Sequence, residues 1–119
     1  MVLAILRSDV SGTLVEPRRK RAAFLRHVSR ELGLVNARVV EDRIENVGGQ
    51  TFDVATTRAV GNLARWIGEA AFLRPGGTFL CWTTHVEALA RELPELKLAR
   101  TVRIPGSSRR QIAAFQKPA

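Results

Sequence analysis

Hydrophobic and polar positions alternate in short runs along the chain and predict four β-strands separated mainly by helices. The four runs are GTLVE (residues 12–16), ARVVE (37–41), FDVAT (52–56) and TFLCW (78–82). Short β-prone runs divided by helical patterns are typical of βαβ units, whose strands are parallel. The pattern therefore predicts an α/β fold with a mainly parallel sheet.

Three helices are predicted from the 3.6-residue spacing of apolar positions. They cover residues 18–32, 59–73 and about 85–93, and the segment RPGG (74–77) is expected to turn the chain into the fourth strand. Gly33 ends the first helix, as glycine commonly does. The predicted apolar face of that helix consists of Phe24, Leu25, Val28 and Leu32.

The end of the chain follows a different pattern. KLARTVRI (97–104) and QIAAFQ (111–116) are both strand-like, and only PGSSRR lies between them. A link this short leaves no room for a crossover helix, so the two runs are expected to form an antiparallel hairpin. With 119 residues, the chain is expected to be a single domain.

Positive charge is concentrated at the two ends of the sequence. The net charge is +4 over residues 1–36, −2 over 37–96 and +6 over 97–119, and arginine supplies 16 of the 19 basic residues. Arginine binds phosphate in a bidentate manner. An anionic partner is one interpretation, and an arginine-rich surface without a specific ligand is the other.

Few residues suggest any other chemistry. Cys81 is the only cysteine, so no internal disulfide is expected and a reducing cytoplasm is the expected compartment. His27 and His85 form no metal-ligand pattern. Trp66 and Trp82 are expected to be core residues, although either could stack on a base.

The stretch GTLVEPRRKRAAFL (12–25) contains the most informative charges. Glu16 follows a predicted strand, where an acidic residue in a nucleotide-binding βαβ unit accepts hydrogen bonds from ribose hydroxyls. A solvated strand end explains it equally well. Arg18, Arg19, Lys20 and Arg21 occupy a helix start, where cations are unfavourable. Either a polyanion compensates for that cost or the side chains extend into water.

Four segments together resemble the bacterial glucose-inhibited division protein B family. They are TLVEPRRKRAAFLRHVSRELGL, DRIE, FDVATTRAV and LRPGGTFL. The resemblance implies a class I, Rossmann-like methyltransferase core that binds S-adenosylmethionine and methylates a guanine N7 of 16S ribosomal RNA. It also implies cofactor-binding roles for Glu16, Ile44, Glu45 and Arg58. The charge pattern, rather than the resemblance, predicts RNA binding by the basic residues of the two ends: Arg18, Arg19, Lys20, Arg21, Arg109 and Arg110.

The sequence departs from the family pattern at two places. The family's glycine-rich motif and the strand before it have no counterpart, so the chain is expected to be a truncated methyltransferase domain (1–119) without its first strand. The family's Lys-Gly after the fourth run is replaced by Thr83 and Thr84. Two further hypotheses stand beside a truncated methyltransferase. One is an inactive remnant or basic RNA-binding module; the other is that VLAIL replaces the missing strand or that two chains form a homodimer through an exposed sheet edge.

Overall fold

The computed structural model describes residues 5–47, 51–58 and 71–119. Its strands are β1 (Gly12–Val15), β2 (Ala37–Val40), β3 (Phe52–Arg58), β4 (Leu73–Thr83), β5 (Lys97–Arg103) and β6 (Gln111–Gln116); its helices are α1 (Arg19–Glu31) and α2 (Val86–Glu92), with a 3-10 turn at Ile44–Asn46. The chain divides into two compact units, which meet in sequence between Val47 and Gly48.

In the first unit, β1 and β2 form a parallel pair with Gly12 opposite Ala37 and Val15 opposite Val40. The Asn36 side chain, just before β2, donates hydrogen bonds to the carbonyls of Arg7 and Val10. It thereby ties together the segments that lead into the two strands. Helix α1 connects them and packs against β2, as the sequence predicted.

The predicted apolar face of α1 is confirmed only in part. Phe24 and Leu32 are 64% and 54% exposed, whereas Ala22 and Ser29 are the buried residues of this helix. Leu25 and Val28 are half-buried. The face that packs is narrower and composed of smaller side chains than hydrophobicity alone indicated.

In the second unit, four strands form one sheet in the order β3–β4–β6–β5. β3 and β4 are parallel, whereas β6 is antiparallel to both β4 and β5. The predicted C-terminal hairpin is therefore confirmed. In β5, Leu98 pairs with Phe115 and Arg100 with Ala114, so Ala99 is an extra residue in a β-bulge.

The segment RPGG was predicted to be a turn before the strand, but it lies inside β4. Phe52 pairs with Leu73 and Val54 with Thr78, so Arg74–Gly77 form an irregular excursion within the paired strands. Gly76 has a positive φ of 80°. A Cβ at Gly77 would approach the Arg74 carbonyl oxygen to 2.8 Å, which requires glycine there.

Two further predictions concern neighbouring segments. Residues 59–70 of the helix predicted at 59–73 lie outside the described residues. Its last residue, Leu73, belongs to β4. Ile5 and Leu6 are helical, so these two residues of VLAIL do not replace a strand. Among the described strands, β1, β2, β3 and β5 each pair along one edge only.

The core of the second unit lies on one face of the sheet. Phe79, Cys81, Ala113 and Phe115 are buried there, and the rings of Phe79 and Phe115 lie 6.4 Å apart between centroids. Leu89 of α2 and the following Leu93 and Leu96 are also buried. The unit's stability should therefore depend mainly on these side chains.

Phe79→Ala is expected to lower the free energy of unfolding by about 3–5 kcal/mol, because it removes a fully buried ring and leaves a cavity. Urea denaturation followed by circular dichroism measures this loss. Phe24→Ala is the matched control, since Phe24 is mostly exposed, and its effect should be much smaller. Equal losses in the two variants would contradict the assignment of the core.

The Cys81 thiol is expected to be unreactive in the folded protein. Burial raises its pKa to about 11, so little thiolate is present at pH 8, and the side chain is inaccessible. An aromatic disulfide reagent should react slowly at pH 8 and rapidly once urea unfolds the chain. Rapid reaction without urea would show that Cys81 is accessible in the native state.

Candidate functional site

Glu16 lies at the carboxyl end of β1, directly beside the carboxyl end of β2. Its backbone N–H donates to the Val40 carbonyl at 3.0 Å, which continues the parallel ladder by one residue. Because parallel strands align their carboxyl ends, Glu16 and the segment after β2 lie at the same end of this pair. Open α/β sheets bind ligands at the carboxyl ends of their strands.

The Glu16 carboxylate is also placed by the backbone that enters α1. Its Oε1 accepts a hydrogen bond from the Arg18 N–H at 3.2 Å. The side chain is half-buried. One carboxylate oxygen is thus used to fix the side chain, and the group keeps acceptor capacity for a further donor such as a hydroxyl.

The segment after β2 is held by a local network around Asp42. Its Oδ1 accepts from the Arg43 N–H at 2.8 Å and from the Asn46 amide at 3.0 Å. These two hydrogen bonds lower the pKa of Asp42, the one from the Asn46 amide more than the one from the Arg43 N–H. The network fixes the 3-10 turn that contains Ile44 and Glu45.

Ile44 is half-buried in this turn, four residues beyond the end of β2. Glu16 thus lies at the end of β1, and Ile44 lies in the turn that follows the neighbouring β2. Their roles in ribose and adenine binding stay predictions. Sequence reasoning missed Asp42 and Asn46, which hold the turn. The DRIEN spacing, with an acidic residue four positions before an asparagine, was the available signal.

The predicted RNA-binding residues lie in two places, one in each unit. Arg18 directly precedes α1, and Arg19, Lys20 and Arg21 form its first turn; all four are exposed, and that turn contains no acidic residue. Arg109 and Arg110 are exposed in the β5–β6 connection. Their backbone N–H groups donate to the Ser107 Oγ at 3.4 and 3.0 Å, which fixes this end of the hairpin.

Arg58 is the last residue of β3 and lies in the second unit. It is exposed and pairs in register with Trp82 of the parallel strand β4. These two residues, with Thr56 and Thr57, line a depression of about 280 Å³ at the carboxyl ends of β3 and β4. Trp82 was expected in the core but is 36% exposed, because it projects from the less covered face of the sheet.

Two negative findings apply to the part of the chain that the structure describes. It contains no group of three or more histidine, cysteine, aspartate or glutamate side chains able to hold a metal ion. None of its helices is long and apolar enough to cross a bilayer.

Comparison with known structures identifies the fold. A ribosomal protein L11 methylase from Lactobacillus delbrueckii subsp. bulgaricus superimposes with a TM-score of 0.79 at 12% sequence identity. The match covers 99% of this chain and 65% of that one. At this identity the likeness establishes the fold alone, which is the Rossmann-like methyltransferase fold expected from the sequence.

Comparison with curated sequences finds relatives named ribosomal RNA small subunit methyltransferase G. The protein from Neisseria gonorrhoeae is 42% identical over 76 residues, or 64% of this chain and 37% of the relative. The protein from Halorhodospira halophila is 38% identical over 97 residues, or 81% of this chain and 46% of the relative. The chain thus spans less than half the length of these relatives.

A family model adds a match over most of the sequence. The model described as rRNA small subunit methyltransferase G matches residues 1–104. That range contains β1 to β5, Glu16 and the 3-10 turn at Ile44–Asn46. The chain therefore belongs to the rRNA small subunit methyltransferase G family.

Proposed function

We propose that this chain serves in the S-adenosylmethionine-dependent methylation of guanine N7 in 16S ribosomal RNA. The observation that carries the proposal is the position of Glu16 at the paired ends of the parallel strands β1 and β2, the second of which leads into an ordered turn containing Ile44. Family membership supports the same activity. The proposed compartment is the cytoplasm.

The residues at the carboxyl end of the β1–β2 pair fit the nucleoside part of the cofactor. A carboxylate with spare acceptor capacity suits a ribose diol, and the half-buried Ile44 suits the flat, apolar face of adenine. Asp42 acts as a positioning residue because it fixes the turn. Glu45 belongs to the same turn. Arg58, at the end of β3 in the second unit, stays a predicted cofactor-binding residue.

The reaction requires little acid–base chemistry from the protein. When bound, S-adenosylmethionine supplies an activated methyl group on sulfur. Guanine N7 bears a lone pair and no proton, so the protein does not need a general base. Its residues have to bind both reactants, orient them and exclude water.

The RNA is proposed to bind through the exposed cations of both units. Arg18, Arg19, Lys20 and Arg21 repel the positive end of α1, and phosphate groups would relieve that repulsion. Arg109 and Arg110 lie in a stretch of the chain, residues 97–119, that contains six basic and no acidic residues. Both groups fit sequence-independent contact with the RNA backbone.

Glu16→Gln is expected to weaken S-adenosylmethionine binding by about 10- to 100-fold. This range corresponds to the loss of a charge-assisted hydrogen bond, about 1.5–3 kcal/mol. Isothermal titration calorimetry on the 119-residue chain measures the change.

Glu31→Gln is the matched control, since it removes the same charge at an exposed position of α1 and should leave the affinity unchanged. Circular dichroism of both variants shows whether they remain folded. If the folded wild-type chain gives no heat at high cofactor concentration, the proposed cofactor binding is wrong for this chain.

A homodimer through the edge of β3 is proposed as the state of the protein in solution. Among the described strands, β3 pairs with β4 alone and leaves its other edge free, and a free strand edge is a template for pairing. Sedimentation velocity should then give about twice the chain mass of 13.2 kDa.

Thr56→Lys places a charge on β3 and is expected to shift this dimer towards monomer. Thr84→Lys makes the same change at an exposed position outside the strands and should have no effect. A wild-type protein that sediments as a monomer across the full concentration range would exclude the dimer.

A further inference from the structure

The hairpin turn, residues 104–110, joins β5 to β6 and is closed at its base by a backbone hydrogen bond. The Ile104 N–H donates to the Arg110 carbonyl at 3.0 Å. This bond lies directly beyond the last strand pair, Arg103 with Gln111. The base of the turn therefore continues the antiparallel ladder, and its two ends are fixed relative to each other.

The first half of the hairpin turn is a type II β-turn. The Ser107 N–H donates to the Ile104 carbonyl at 3.1 Å. Pro105 and Gly106 are the two central residues, and Gly106 has a φ of 81°. This turn type favours proline at the first central position and a glycine with positive φ at the second. The backbone is thus fixed as far as Ser107.

The second half of the hairpin turn is held by one side chain. The Ser107 Oγ accepts hydrogen bonds from the backbone N–H groups of Arg109 and Arg110 at 3.4 and 3.0 Å. Ser107 is half-buried, whereas the three residues after it are exposed. A serine hydroxyl that binds the N–H groups two and three residues further on stabilises a local turn, as it does at the start of a helix. Ser107 therefore fixes the backbone that carries both arginines.

Three arginines lie at this end of the hairpin. Arg109 and Arg110 belong to the turn, and Arg103 is the last residue of β5. Strand pairing places Arg103 opposite Gln111, the residue that follows Arg110. All three arginines are exposed, and residues 97–119 contain no acidic residue. Their combined charge suits the phosphates of a polyanion.

A fixed turn lowers the cost of binding such a polyanion. Binding orders the arginine side chains, and in a flexible turn it would have to order the backbone as well. A turn that already has its bound conformation avoids the second cost and gains affinity without any new contact. The Ser107 hydroxyl can therefore affect binding although it carries no charge.

We propose that Ser107 is a positioning residue for RNA binding. Its hydroxyl holds the hairpin turn in the conformation in which Arg109 and Arg110 contact RNA phosphates. Ser107 acts through the backbone of these two arginines and needs no contact of its own with the RNA. This inference rests on the proposed RNA substrate and adds the residue that determines how two of its cations are presented.

The chain offers a matched control for Ser107, because Ser108 is the adjacent serine and is exposed. Ser107→Ala and Ser108→Ala each remove one hydroxyl from the same turn and leave every charge in place. Binding is measured by fluorescence anisotropy with a labelled, guanine-containing RNA of ten nucleotides, over a range of salt concentrations. Thermal melting followed by circular dichroism shows whether each variant remains folded.

Ser107→Ala should weaken RNA binding about 2- to 10-fold, the range expected when binding must also order a loop. The slope of log K against log salt should stay unchanged, because no charge is lost. Ser108→Ala should bind as tightly as the wild type. Ser107→Thr should restore most of the affinity, because the threonine hydroxyl can accept the same hydrogen bonds.

Arg110→Gln should have a different signature. It removes a charge, so it should reduce the slope of log K against log salt by about 0.7, the value for one lost phosphate contact on a single strand. The two signatures separate the loss of a contact from the loss of its positioning.

The deciding measurement repeats Ser107→Ala in a chain that already carries Arg109→Gln and Arg110→Gln. If Ser107 acts through these arginines, its removal should have no further effect, so the changes should not be additive. A loss of full size in this background would overturn the inference and indicate that the hydroxyl contacts the RNA directly.

Normal RNA binding by Ser107→Ala would also overturn the inference. In that case, binding that is lost when Arg19 and Lys20 are changed would preserve the proposed function. Absence of RNA binding by the folded wild-type chain would contradict both.

Discussion

The parallel pairing of β1 with β2 and of β3 with β4 is the constraint on which both site regions depend. Parallel strands place their carboxyl ends side by side, so residues distant in sequence become neighbours without any long loop. The bond from the Glu16 N–H to the Val40 carbonyl applies this rule to the β1–β2 pair. The register of Arg58 with Trp82 applies it to the β3–β4 pair.

Much of the fold was predictable because its signals are local. Alternation of apolar residues located β1, β2, β3 and β4, and the short PGSSRR link required the C-terminal hairpin. Gly33 marked the end of its helix correctly, and the helix predicted at about 85–93 is α2 (Val86–Glu92). Each of these features depends on residues within a few positions of one another, which is the range over which sequence patterns act.

The errors arose where tertiary packing decides. Phe24 and Leu32 have helical spacing with Leu25 and Val28 but are mostly exposed, whereas Ala22 and Ser29 are the buried residues of α1. RPGG has the composition of a turn, yet the pairing of β3 with β4 resumes on both sides of it. Trp82 was expected in the core because large aromatic residues usually are, and only the sheet register shows which face it occupies.

The bulge at Ala99 determines which residues of β5 face each side of the sheet. Leu98 and Arg100 are two apart in sequence, yet they occupy opposite faces because Ala99 is the extra residue between them. Deletion of Ala99 would make the alternation regular and keep every other pair in place. Deletion of Thr101 or Val102 would instead move Arg100 to the other face. A shorter β5 is thus compatible with an unchanged sheet when the lost residue belongs to the bulge.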